Sequence, residues 1–442
     1  MNAALQQYLD LYVAYEPQLR TAPDAMNRAR EAALQLLRTE GLPPRHSEQY
    51  KYTDAATLIA PDYGLNLLRH TPQGTPKSCS VPGLHTQLFH VAGDVVLPIS
   101  AAQDGVEAMT FREAAERRPE LLQKYYHQAA AKNRDALTAL NTLLAQDGLL
   151  IHIKAGTSPA LPLQIVNIAS TKTAAMHNRR LVVVCESGSE ASLLLCDHCD
   201  TTAQTLTTQV SEFYLGEGAR LDVYSVEETN AVCHRLHHIY AEQATRSHFS
   251  VCDVTLRAGL SRTMANVELA GVEAESSLAG AIVAGGTQHI DNNLLIAHRA
   301  EGCTSEMLYK SVIDDESTCA FAGKVLVASG AQKSVSQQTS ANLCVSPTAR
   351  ALTQPMLEIY ADDVKCNHGA TVGKLDETAL LYMRQRGIGE EEARLLLQHA
   401  FVSEVISRIH LPALRDRLTS LIDQRFRGSG DAHCAGCGLC GK

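Results

Sequence analysis

From Leu149 the chain repeats itself. Short runs rich in Val, Leu and Ile (LLIHIK, LPLQIVNI, RLVVVC, ASLLLC, ARLDVYSV, SHFSVCDV) alternate with turns. They are too short for helices and have the composition of strands. The residue just after the turn is Ala191, then Ala219, Ala244, Ala274, Thr304 and Ala331, in steps of 28, 25, 30, 30 and 27 residues. A strand–turn–strand unit at this period is the signature of a solenoid, because each unit can bury its apolar face only against the next. Units made of strands predict a β-helix or a closely related stack, with a two-sheet sandwich as the competing architecture. No helical segment between the units is long enough for a βαβ crossover, so a doubly wound sheet is not expected.

Helical patterning flanks the repeat. In DAMNRAREAALQLLRTEG, Asp24 stands as an N-cap and Gly41 as a stop. A second helical stretch runs from about Thr110 to Gln146. After the repeat, LDETALLYMRQRG opens with acids in its first turn and closes on Gly387. GEEEARLLLQHAFVSEVISRI carries Ala393, Leu396, Leu397, Ala400 and Phe401 on one stripe, and LPALRDRLTSLIDQRF has Pro412 in its first turn. The expected organisation is a largely helical region over 1–148, a β-helix core over 149–373, a helical domain over 374–427 and a flexible Cys-rich tail over 428–442.

Composition narrows the function classes. Hydrophobic residues make up 45% and charged residues 20% of the 442, enough for real cores. The formal net charge of −9 argues against nucleic acid as a ligand. No apolar stretch approaches the roughly 18 residues of a spanning helix. The N-terminus MNAALQQYLDLYVAYEPQL has the pattern of an amphipathic helix rather than a signal peptide. A cytoplasmic protein without a membrane partner is expected, its 13 cysteines thiols or metal ligands rather than disulfides.

The densest chemistry lies in DVKCNHGATVGKLDETALLYMRQRGI, Asp363 to Ile388. GATVGK is no phosphate loop: three residues, not four, separate Gly369 from Gly373, and Leu375 follows Lys374 where a hydroxyl should bind magnesium. Cys366 and His368 share a face if the segment is a strand. As a nucleophile pair they lack a visible third residue and oxyanion donors. As soft metal ligands they are a half-site whose remaining ligands come from elsewhere, for instance another subunit. The bland alternative is a buried cysteine and a capping histidine. CDHC (Cys196, Asp197, His198, Cys199) and CHRLHH (Cys233, His234, His237, His238) also have ligand-like spacing in the repeat; either could bind metal, with decoration of the rungs as the favoured alternative.

The run VKCNHGATVGKLDETALLYMRQRGIGEEEARLLLQHAF resembles the C-terminal signature of the SufB/SufD iron–sulfur cluster assembly proteins. FAGKVLVASGAQKSVSQQTSANLCVSPTARALTQPMLEIYADDV resembles that family's last β-helix turns, and SEQYKYTD its N-terminal loop. The Lys-Cys-Asn-His run is similar to the SufD branch rather than to SufB. The resemblance implies a right-handed parallel β-helix between helical domains. It implies a scaffold component rather than an enzyme, working with a SufB-like protein and a SufC-like ABC ATPase. It places the family's cluster-assembly histidine, at the SufB interface, on His368, with Cys366 beside it. It assigns the SufC contact to helices within 375–426. No tightly bound cofactor is expected, only a transient cluster or iron at that interface. A homodimer handling iron without SufB is one alternative. A β-helix enzyme acting on polysaccharide is another, disfavoured by the absence of Trp.

The tail HCAGCGLCGK falls outside the resemblance. Cys434, Cys437 and Cys440 stand in Cys-x2-Cys-x2-Cys order, as ferredoxin cluster loops begin, with His433 as a further ligand. The alternative is a mobile extension with no specific chemistry.

Overall fold

The computed structural model describes residues 2–45, 47–64, 79–100, 102–199 and 201–428. The chain opens with helices α1 (Ala3–Leu19), α2 (Asp24–Thr39) and α3 (Ala55–Ile59). Strands β1 (Gln87–Ala92), β2 (Val95–Val96) and β3 (Val106–Thr110) follow. Then come α4 (Phe111–Arg117), α5 (Pro119–Tyr125), α6 (Gln128–Ala131) and α7 (Ala136–Leu144). Strands then run without interruption by helix. They are β4 (Leu149–Ile153), β5 (Leu163–Ala169), β6 (Ala175–Cys185), β7 (Glu190–Cys199), β8 (Thr205–Leu215), β9 (Arg220–Glu228), β10 (Cys233–Gln243) and β11 (His248–Arg257). They continue as β12 (Leu260–Leu269), β13 (Glu275–Ala284), β14 (His289–His298), β15 (Thr304–Ile313), β16 (Thr318–Val327), β17 (Ser334–Cys344), β18 (Arg350–Ile359) and β19 (Val364–Gly373). Helices α8 (Glu377–Gln385), α9 (Glu390–Ile406) and α10 (Pro412–Phe426) end the described chain.

The repeat folds as a parallel β-solenoid, not as a sandwich. Odd-numbered strands stack in one sheet from β5 to β19, even-numbered strands in another from β4 to β18, and each coil contributes one strand to each. Every pairing along these stacks is parallel, and the register is continuous except for a shift between Thr255 and Arg257 where β11 meets β9. The sheets begin upstream of Leu149, because β1 adds parallel to β5 and β3 antiparallel to β4.

A two-residue device makes six of the turns that lead from an even strand into an odd one. Gly188, Gly218, Arg246, Glu273, Gly302 and Lys333 all have φ between 52° and 72°. The next residues, Ser189, Ala219, Ser247, Ala274, Cys303 and Ser334, are small and fully buried. The left-handed residue reverses the chain, and only a small side chain fits the corner behind it. These corners hydrogen-bond to the coil above, as when His248 N donates to Ala219 O at 2.8 Å and Thr304 N to Ala274 O at 3.0 Å. The true period is therefore 30, 28, 27, 29 and 31 residues between these positions. Ala191, Ala244 and Ala331 of the sequence reading stand up to three residues off it: Ala191 pairs with Leu221, not with Ala219.

The core lies in three layers. Inside the coils, Leu193, Leu195, Leu221, Val223, Ile296 and Val325 form one apolar column. Outside the even sheet, the N-terminal helices bury Leu137, Leu140 and Leu143 of α7 with Leu206 and Leu236. Buried Arg30 ties α2 to the end of α7 by donating to the carbonyls of Leu143 (2.9 Å) and Ala145 (2.7 Å). Outside the odd sheet, Val402, Val405, Leu414 and Leu418 of α9 and α10 pack on Val254, Ala281 and Leu308. The predicted stripe on α9 is displaced. Ala393, Gln398, Val402, Val405 and Ile406 are its buried residues, and Leu396 is exposed, because α9 docks by its C-terminal half. Asp24 is the first residue of α2 rather than its cap, a role Pro23 fills.

Part of the solenoid interior is polar. Arg179 donates to Asp197 at 2.8 Å, and Arg235 pairs with Asp197 and Glu227 at 3.2 Å each. Burial raises Glu227 to about 7 despite Arg235. Cys199 and Cys233 form a disulfide, against the expectation of thiols or metal ligands; it joins the end of β7 to the start of β10. Among the described residues, no helix is long and apolar enough to cross a membrane.

Candidate functional site

β19 is the last strand of the odd sheet and β18 the last of the even sheet. Each has a hydrogen-bonded neighbour on one side, β17 and β16 respectively, and none of the described strands on the other. The C-terminal helices do not cap this end, because they lie against the outer face of the odd sheet. The solenoid therefore finishes on an open edge that exposes Leu352, Ile359, Tyr360 and Val372. Unpaired N–H and C=O groups along such an edge are a template for strand addition.

Cys366 and His368 sit on β19, two residues apart and on one face, the face of the solenoid interior. Cys366 is half-buried against the apolar column, while His368 is exposed. GATVG, Gly369 to Gly373, is extended strand and Lys374 follows it, which removes the wrapped backbone a phosphate loop requires. One coil below, Ser336 pairs in register with Cys366 and Gln338 with His368. Burial pushes the Cys366 thiol above its ordinary value, so ligation requires a cation to draw off its proton.

The interior changes character toward this end. Leu278, Met307 and Gln338 occupy successive rungs below His368. Ser305 and Ser336 lie below Cys366, their hydroxyls 2.9 Å apart. Buried His298 continues that chain, with Nε2 2.7 Å from Ser305 Oγ and Nδ1 3.1 Å from Ser334 Oγ. The Gln338 amide is fully buried with neither polar atom hydrogen-bonded, a cost of about 1–3 kcal/mol. It reaches over Gly323, where a Cβ would stand 1.8 Å from Gln338 Nε2. Sequence reading missed Ser336 and Gln338; subtracting one coil, 30 residues, from Cys366 and His368 finds them.

The SEQYKYTD segment runs across the outer face of the even sheet to the same edge. Tyr50 donates to Asp135, and the Arg262 guanidinium lies 4.5 Å from the Tyr50 ring centre. Thr53 Oγ1 donates to Asp291 at 2.5 Å, and Lys51 and Tyr52 donate to Gln354 of β18 at 3.0 and 3.2 Å. The other motifs disperse. In CHRLHH, Cys233 is in the disulfide, His237 turns inward to Arg235 and Ser211, and His238 lies 3.4 Å from Asp135. In CDHC, Asp197 points inward to Arg179, while Cys196 belongs to the outer apolar cluster. The tail ligands His433, Cys434, Cys437 and Cys440 lie outside the described residues.

Residues 167–401 match the SUF system FeS cluster assembly SufBD core domain, and residues 2–165 the SufBD protein N-terminal region. The chain belongs to the SufBD family. Among SufBD relatives, it is 28% identical over 433 residues to the iron-sulfur cluster assembly protein SufD of Escherichia coli, covering 96% of this chain and 97% of that one. It is 28% identical over 410 residues, 90% of each chain, to an iron-sulfur cluster assembly SufBD family protein of Synechocystis. Identity to SufD of Bacillus subtilis is 24% over 346 residues, 78% of this chain and 79% of that one. The two SufBD segments divide within β5, so the family's N-terminal region includes β1 to β4 as well as the helices.

Proposed function

We propose that this chain is a SufD-like component of an iron–sulfur cluster assembly scaffold, acting with a SufB-like protein and a SufC-like ATPase and not itself an enzyme. One observation carries the reading: Cys366 and His368 lie side by side on the terminal strand of an open solenoid edge. A thiol and an imidazole are two ligands of the three or four that iron or a cluster requires. A partner strand added to β19 brings the remainder within reach while satisfying the edge's backbone. The cluster is then cargo held between two chains rather than a resident cofactor. The ATPase contact falls on the exposed side of the C-terminal helices, where Leu381 and Tyr382 of α8 and Leu396 of α9 face outward. Both broad outer faces of the solenoid carry helices, which disfavours a polysaccharide groove.

The test is anaerobic co-expression with the SufB-like and SufC-like partners. His368→Ala is expected to leave folding and complex formation intact while lowering the cluster's visible absorbance per complex. Unchanged absorbance would make His368 structural. Full cluster loading of this chain purified without a SufB-like protein would favour the homodimeric iron-handling alternative, for which a second copy meets the same edge.

A further inference from the structure

The outer face of β7 holds a second Cys-x-His pair, remote from the open edge. Cys196 and His198 are joined there by Cys79, from the segment before β1. All three side chains are more than nine-tenths buried, and their ligand atoms lie within 4.8 Å of one another. A tetrahedral ion with bonds of about 2.0–2.3 Å fits between ligand atoms at such spacing.

A fixed amide faces the cluster. Gln164 of β5 directs Nε2 to Cys196 Sγ at 3.6 Å and to the Cys79 carbonyl at 3.2 Å. Its other amide atom accepts from Thr86 Oγ1 at 2.7 Å, which fixes the orientation of the donor. An amide N–H held against sulfur stabilises the anionic form a metal requires. Glu228 of β9 stands in register with His198 on the neighbouring strand, but its carboxylate is not among the three clustered ligand atoms, so the fourth position is left to water.

We propose that Cys79, Cys196 and His198 bind a zinc-class divalent cation that staples the segment before β1 to the solenoid wall. Two thiolates and an imidazole suit a borderline-soft ion, and binding releases the two thiol protons to solvent. This ion is structural rather than cargo. It is enclosed by the apolar layer under α9 and α10, and β7 is six strands from β19, roughly 29 Å at ~4.8 Å per strand.

The test uses the full chain with Cys434, Cys437 and Cys440 replaced by Ser, so that tail thiols do not contribute. Purified from zinc-supplemented cells and treated with a mild chelator, it is expected to retain one zinc per chain by elemental analysis. Cobalt loading is expected to give a thiolate-to-metal charge-transfer band. Cys196→Ser and His198→Gln each abolish retention, and Gln164→Leu weakens zinc affinity by about 10–100-fold. Should Cys196→Ser fail to fold, protection of Cys196 from alkylation by added zinc in the parent chain gives the same answer. Parent protein without zinc, variants that retain it, a cobalt spectrum lacking the thiolate band, or alkylation indifferent to zinc would each overturn the assignment.

Discussion

Three residues that turn the chain from an even strand into an odd one are not glycine. Arg246, Glu273 and Lys333 hold φ of 52°, 57° and 58° where Gly188, Gly218 and Gly302 do the same work without strain. Glu273→Gly is therefore expected to raise stability by about 0.5–1 kcal/mol, relief of left-handed strain exceeding the added entropy of the unfolded chain. Chemical denaturation checks this; a loss would mean that the Glu273 side chain makes compensating contacts. His298 tests the interior differently. Burial lowers its pKa from 6.5 to about 4. The folded state thus prefers the neutral ring, and below pH 6.5 the unfolded chain takes up the proton first. Its contribution is complete above about pH 6.5 and lost as pH falls through about 4, at most roughly 3 kcal/mol. A His298→Gln chain should show a shallower fall in stability over that window than the parent, and parallel curves would contradict the assignment.

Among the elements, α9 and α10 are the informative ones. Val405, Ile406 and Leu418 are fully buried on the odd sheet, the Arg408 guanidinium forks onto Glu306 of β15, and the Lys310 ammonium lies 4.9 Å from the centre of the Phe401 ring. These helices are part of the solenoid's wall. Deleting the chain from Gly387 onward would bare Val254, Ala281, Val283 and Leu308 together, so the truncated protein is expected to aggregate rather than to leave well-folded rungs. The ATPase contact is better tested with Tyr382→Ala, whose side chain is 57% exposed. The expected result is an unchanged melting temperature with reduced capture of the SufC-like partner. Full capture by that variant and by Leu381→Ala would move the contact elsewhere.

At the scale of the molecule, one end of the solenoid finishes on short strands, β2 antiparallel to β1 and β3 antiparallel to β4, while the other finishes on the long parallel strands β18 and β19. The proposed function places association at the β18–β19 end. Val372, 54% exposed on β19, is a place to test it. Val372→Asp should leave the coils folded yet weaken edge-to-edge association with a SufB-like partner or a second copy, read by sedimentation; undiminished association would locate the interface away from this edge. The period of the turns, the helical flanks and the Cys366–His368 pair were legible in the sequence because each depends on neighbours within a few residues or on a repeat of constant length. What could not be read there depends on contacts between coils and between distant segments. Gln338 lies under His368 only because the strands stack in register, and Cys79 meets Cys196 only because the chain before β1 folds back on β7. Asp197 and His198 are adjacent in sequence, yet the pleat sends Asp197 to the interior arginines and His198 to the outer wall. The sequence alone determined that the chain coils and which residues could ligate. Only the tertiary structure decided which of them meet, because a parallel stack joins residues about one coil apart and the alternation of a strand assigns each to one side of the wall.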